Sequence, residues 1–119
     1  MQRVFLKGKI HQATITESNL HYEGSLTVDR ELMEAAGMLP YEKVEVYNIT
    51  NGNRFSTYLI EGERGSGVIA VNGAAARLAQ PGDLIIVTSY AMIDDHELPE
   101  HKPKIVLLDS HNKVKRVIS

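Results

Sequence analysis

Chemistry in this sequence could come from two glycine–serine pairs, one short polar segment and one alanine run. Gly24-Ser25 lies in "HYEGSLTVD", between two apolar-rich segments. The ordinary reading of such a pair is a tight turn; the other is a peptide bond that the chain cuts in itself. Gly65-Ser66 in "ERGSG" is a second copy, so the dipeptide alone does not decide. In "RFSTYLI", Arg54 and Tyr58 share one face of a strand while Thr57 points to the other. An exposed arginine and a half-buried tyrosine are common on any sheet. Lys9 and His11 read in the same way, as a wet strand face. In "VNGAAARLA", Asn72 and Gly73 followed by Ala74 and Ala75 make a turn without side-chain bulk that enters a helix. Its backbone can approach a small ligand closely and offer N–H groups to an anion; a tightly packed helix start is the plainer reading.

Other patterns carry less. Of the five histidines, His96 and His101 sit five apart among acids in "DDHELPEH", which is not a zinc spacing. A solvated acidic loop and no metal site is the expectation. "EGERGSG" lacks the Lys-Ser/Thr ending of a phosphate loop and reads as a flexible connection.

The elements that must position these residues are mostly strands. Val4, Leu6 and Ile10 alternate with Arg3, Lys7 and Lys9, so the first strand should expose Lys9 and His11 on one face. "SLTV" leads into "DRELMEAAG", a short helix with Asp29 as N-cap and Gly37 as its stop. "KVEVYNI" and "RFSTYLI" flank Asn51-Gly52, which favours a type I′ hairpin turn. "VIAV" and "DLIIVTSY" read as buried strands around the short helix "NGAAARLAQ", "IDDHELPEHKP" as a polar loop, and "KIVLLD" with "KVKRVIS" as a last hairpin. About six or seven strands with two short helices in one domain, residues 1–119, make a small, mainly β barrel.

Composition removes several function classes. The apolar and charged fractions, 43% and 24%, are those of an ordinary soluble globule. A net charge of −2, with five Tyr, two Phe and no Trp, lacks the basic, aromatic face of a nucleic-acid binder. Without cysteine there is no disulfide or thiolate nucleophile. No segment reads as a signal peptide or as the roughly 18-residue apolar run of a membrane span, so a cytoplasmic protein with no membrane partner is expected.

Together, "KGKIHQATIT", "LHYEGSLTVD", "YNITNGNRFSTYLI", "ERGSG" and "VNGAAA" resemble, in order and spacing, the pyruvoyl-dependent aspartate 1-decarboxylases. The likeness runs from the start of the chain to about Tyr90 and is looser from Met92 onward. It implies a double-psi β-barrel, a homotetramer with sites between subunits, and decarboxylation of L-aspartate to β-alanine for pantothenate and coenzyme A. It also implies a zymogen. The covalent pyruvoyl group, in place of pyridoxal phosphate, would come from Ser25 after autocatalytic cleavage into 1–24 (β chain) and 25–119 (α chain). Maturation in this family is either spontaneous or helped by an accessory protein. By the resemblance, Ser25 attacks the Gly24 carbonyl, Thr57 supports the oxyanion, and the ketone forms a Schiff base with the substrate. Lys9 and Arg54 hold its carboxylates, and Tyr58 donates the proton. Asn72, Gly73, Ala74 and Ala75 line it, with His11 and Tyr22 as further candidates. Gly65-Ser66 should stay intact. The alternatives are a non-enzymatic β-barrel binding module and an unprocessed, inactive relative.

Overall fold

The computed structural model describes residues 1–21 and 24–119, so Tyr22 lies outside the described residues. Strand β1 (Gln2–Thr14) pairs antiparallel with β7 (Leu84–Asp94) and shifts register twice, between Leu6 and Gly8 and between Ile10 and Ala13. Each extra residue turns the side chains after it to the other face. Val4 and Leu6 therefore do not share a face with Ile10, as the plain alternation suggests: Ile10 and Ala13 are buried while Val4 is 66% exposed. Gly8 must be glycine, because a Cβ there would collide with the carbonyl oxygen of Ala36.

Seven further strands follow: β2 (Glu17–Asn19), β3 (Ser25–Asp29), β4 (Lys43–Asn48), β5 (Arg54–Gly62), β6 (Ile69–Asn72), β8 (Lys104–Leu108) and β9 (Val114–Ile118). The nine strands form one sheet in the order β2-β6-β3-β5-β4-β7-β1-β8-β9. Ile10, Leu26, Val44, Leu59, Val71, Ile85 and Val106, drawn from seven of these strands, belong to one buried cluster. A sheet whose distant strands share one core is curled upon itself. The seam is visible where Thr16, just beyond β1, donates its N–H to Ile69 O at 2.8 Å. Among the described residues the count is nine, against the six or seven read from sequence; one of the additions is β2, a three-residue strand without an apolar alternation to announce it.

Helix α1 (Arg30–Ala35) starts and stops where its sequence says. The Asp29 carboxylate accepts the Glu31 N–H at 2.9 Å, Leu32 and Met33 are buried, and Gly37 sits at φ 70°, which glycine adopts without strain. The alanine run is a 3-10 helix, Gly73–Arg77. "DDHELPEH" is not a plain loop: Asp95–Glu100 forms another 3-10 turn, because Asp94 and Glu97 build a capping box at its start. The β4–β5 hairpin also departs from expectation. Gly52 has φ 82° but Asn51 is not in the left-handed region, so the turn is not type I′. Instead the Asn48 side-chain oxygen accepts the N–H groups of Thr50 and Asn51, at 2.9 and 3.2 Å. Among the described residues, no helix is long and apolar enough to cross a membrane.

Candidate active site

β3 begins with the second residue of the Gly-Ser pair. Ser25 is completely buried and pairs with Asn72 across the antiparallel β3–β6 ladder, whereas Gly24 just before it is exposed. The Gly24–Ser25 peptide bond therefore joins an exposed turn to a fixed strand. Cross-strand partners share a face, so the Asn72 amide reaches two hydroxyls of β3. It donates to Ser25 Oγ at 3.0 Å and to Thr27 Oγ1 at 2.9 Å. An oxygen that accepts this bond keeps its own proton to donate. A Cβ on Gly24 would meet nothing within 4 Å among the described residues.

The far end of β3 is pinned. The Asp29 carboxylate, 1% exposed, accepts the N–H groups of Gly65 at 3.0 Å and Gly67 at 2.8 Å besides that of Glu31. This corrects the reading of "EGERGSG" as a flexible connection. The segment is held further by Ser66 Oγ, which donates to Glu63 O at 2.6 Å, and by Lys113 Nζ, which donates to Gly65 O at 2.5 Å. The two Gly-Ser pairs thus differ in setting: Ser25 is a buried strand residue, Ser66 an exposed turn residue.

Beside Gly24 opens a cleft of about 360 Å³ lined by Phe55, Ser56, Thr57 and Tyr58 of β5 and by Ala74, Ala75 and Leu78 at the 3-10 helix. Neighbours on a strand normally face opposite ways, and in the β4–β5 ladder Thr57 pairs with Val44 while Tyr58 pairs with Lys43. Both nevertheless line the cleft, beside the stretch where, among the described residues, β5 pairs with β3 from Leu59 onward. Phe55, Ser56 and Leu78 were missed in the sequence, as was Thr27. Thr27 alone had a signal, lying two residues from Ser25 on the same face.

The remaining candidates lie elsewhere. Gly73 is buried, with φ 61°, and is not on the cleft wall. Arg54 is exposed opposite Tyr47, with its guanidinium 4.6 Å from the centroid of the Tyr47 ring. Lys9 and His11 are half-buried rather than exposed. Lys9 pairs with Thr88, Thr88 with Glu45 and Glu45 with Ser56. It therefore shares the outward face of Arg54 and Tyr58, but three strands away, about 14 Å at ordinary strand spacing. His11 Nδ1 is buried without a hydrogen-bond partner among the described residues, and burial, then the charge of Lys9, push the imidazole below its usual range. Among the described residues no cluster of histidines and carboxylates could hold a metal ion.

Comparison with known proteins matches residues 1–115 to the family model described as aspartate decarboxylase. The chain belongs to the aspartate decarboxylase family. It is 59% identical over 113 residues to the aspartate 1-decarboxylase of Thermoanaerobacter pseudethanolicus, covering 95% of this chain and 97% of that one. To the aspartate 1-decarboxylase of Neisseria meningitidis it is 54% identical over 119 residues, all of this chain and 94% of the other. Among solved structures, a rationally designed double-psi β-barrel, mkDPBB_sym_86, superposes with a TM-score of 0.50 at 15% identity, covering 66% of this chain and 92% of the design. The fold of this decarboxylase family member is accordingly a small double-psi β-barrel.

Proposed function

We propose that the chain cuts itself between Gly24 and Ser25, caps the new fragment 25–119 with a pyruvoyl group, and uses it to decarboxylate L-aspartate to β-alanine and CO2. The observation that carries this reading is the buried Ser25 hydroxyl, held by Asn72, at the first residue after an exposed glycine on the wall of a cleft. Residues that suit a small ketone stand there: a serine whose three carbons match a pyruvoyl group, a hydroxyl at Thr57, a phenol at Tyr58, and alanines that leave room.

Cleavage needs no outside reagent except water. Ser25 Oγ attacks the Gly24 carbonyl carbon, and collapse of the tetrahedral species breaks the C–N bond, leaving an ester and a free amine on residue 25. Loss of the Ser25 α-proton expels the Gly24 carboxylate, and water hydrolyses the resulting enamine, releasing ammonia. The negative charge built on the Gly24 oxygen calls for a positioned donor, a role that suits Thr57 on the same cleft. Ser66, with its hydroxyl committed to the Glu63 carbonyl, stays uncut.

The pyruvoyl group supplies an electron-withdrawing ketone at the substrate amine, the sink that no ordinary side chain offers. Arg54 takes one substrate carboxylate in a two-pronged grip. The carboxylate that departs is best left without a strong cation, because stabilising it in the ground state raises the barrier. Tyr58 returns a proton to the carbon that loses CO2, and Ala74 and Ala75 border the substrate, with Asn72 and the Gly73 turn supporting that wall from behind.

Lys9 and His11 enter from a second copy of the chain, in a homotetramer. Their face of the sheet also carries exposed apolar side chains, Val4 at 66%, Met92 at 63% and Tyr90 at 41%, of which Val4 and Met92 are direct cross-strand partners. Covering such a face is favourable at about 25 cal/mol per Å², and a copy seated there would bring its own cleft towards Lys9. Denaturing mass measurement tests the reading. Two fragments split between Gly24 and Ser25, together with β-alanine formed from aspartate, are expected. A single uncut chain that forms no β-alanine overturns it.

A further inference from the structure

The two walls of the cleft run into one polar knot that takes no part in the chemistry above. Asn48, at the end of β4, is 3% exposed and Asp83 is 5% exposed. The Asn48 amide donates to Asp83 Oδ2 at 2.9 Å and to the carbonyl oxygen of Leu78 at 3.2 Å. That same carbonyl accepts the side-chain amides of Asn51 at 3.1 Å and Asn53 at 3.2 Å. Asp83 Oδ2 also accepts the Gln80 N–H at 3.1 Å. One carbonyl has two lone pairs, yet amides from three positions of one hairpin loop converge on it.

Closing the hairpin does not require them. Asn48 N–H to Asn53 O at 2.8 Å and Gly52 N–H to Asn48 O at 2.9 Å already do so. The three amides reach out of the hairpin to a segment 25 to 30 residues away. What they grip is the backbone of a cleft residue, for Leu78 lines the cleft with Phe55 and the small Ala74 and Ala75. On the other side Asn53 leads directly into Arg54 and the β5 wall. The knot therefore joins both walls at one end, and the carbonyl that it holds belongs to the bulkiest aliphatic side chain on the helical wall.

We propose that Asn48, Asn51, Asn53 and Asp83 are positioning residues that fix how far Leu78 projects into the cleft, and so limit the substrate to a four-carbon rather than a five-carbon dicarboxylate. The proposal rests on the reading of this cleft as the aspartate site. One methylene in a pocket is worth about 10- to 200-fold in discrimination when the walls are held, and much of that is lost when a wall can retreat.

The test uses the cleaved protein, its state verified by mass, and binding of succinate and glutarate by titration calorimetry beside kcat/KM for aspartate and glutamate. Asn51→Ala and Asn53→Ala each remove one donor from the partly exposed rim of the knot, and Leu78→Ala removes the projecting side chain without touching the knot. Asn48→Ala is informative only if it folds. Wild-type protein is expected to prefer succinate. The combined Asn51→Ala and Asn53→Ala variant and Leu78→Ala should each lower that preference, and the aspartate-over-glutamate ratio, by about fivefold or more. If these variants melt earlier but keep the wild-type preference, the knot is merely structural and the proposal falls. If wild-type protein neither binds succinate nor turns over aspartate, the reading of the cleft fails instead, and this proposal with it.

Discussion

Arg54 is held against the face of Tyr47, 4.6 Å from the ring centroid, and the Tyr47 hydroxyl is in turn 2.9 Å from that of Tyr90. The ring gives an exposed guanidinium a preferred place, with an attraction of about 0.5–1 kcal/mol at such a site. A cation that must meet a small carboxylate gains from starting in place. Tyr47→Leu should therefore raise KM for aspartate about two- to fivefold, while Tyr47→Phe, which keeps the ring, stays within about twofold. Steady-state kinetics on fully cleaved protein decides. Equal KM values for the leucine and phenylalanine variants would mean that the ring does not position Arg54.

Asn72 ties Ser25 to Thr27, which suggests that it holds the attacking hydroxyl in one rotamer. Asn72→Ala removes the donor at 3.0 Å from Ser25 Oγ and should slow cleavage by about 10- to 100-fold. Thr27→Val leaves that bond in place and should slow it far less. The measurement is the time course of intact mass in freshly made precursor. Wild-type cleavage kinetics in Asn72→Ala would remove Asn72 from the self-processing machinery.

His11 makes stability depend on pH in a set direction. Burial and Lys9 lower its folded-state value beneath the ordinary 6.5, so the unfolded chain takes the proton first as pH falls. Stability should decline as pH drops below 6.5 towards the lowered folded value, and this group adds no slope above 6.5. Melting temperatures followed across that range should lose this part of the slope in His11→Asn. An unchanged slope in the variant would assign it to other groups.

Lys9 can be assigned to a subunit by co-expression. If it acts on a neighbour's cleft, Lys9→Ala and Ser25→Ala chains, each inactive alone, should form hybrids in which about one quarter of the sites are complete, by random assembly of a symmetric oligomer. No recovery of activity in verified hybrids would show that Lys9 serves its own chain or none.

The residues of the cleft were legible where the local pattern decides their surroundings. Asp29 and Gly37 bound α1 as their types require, and the opposite faces of Thr57 and Tyr58 follow from strand period alone. What was not legible depends on contacts between distant segments. The bulge that puts Val4 on the face opposite Ile10 lies between Leu6 and Gly8, where Gly8 comes close against the Ala36 carbonyl. The Asn51-Gly52 turn gave up its local preference because Asn48 could serve the loop and Leu78 together. That Thr57 and Tyr58 nevertheless border one cleft is a relationship which no feature of "RFSTYLI" announces.

β1 lies between β7 and β8 and supplies Ile10 and Ala13 to the core, yet it belongs wholly to the piece that would end at Gly24. Before the cut, folding is a unimolecular search by one chain. After it, the same barrel would be a two-piece complex, and recovery from unfolding would require the pieces to find each other at a rate set by their concentration. Maturation would then work as a ratchet: fold first, cut second, with the mature form preserved by slow unfolding rather than by ready refolding.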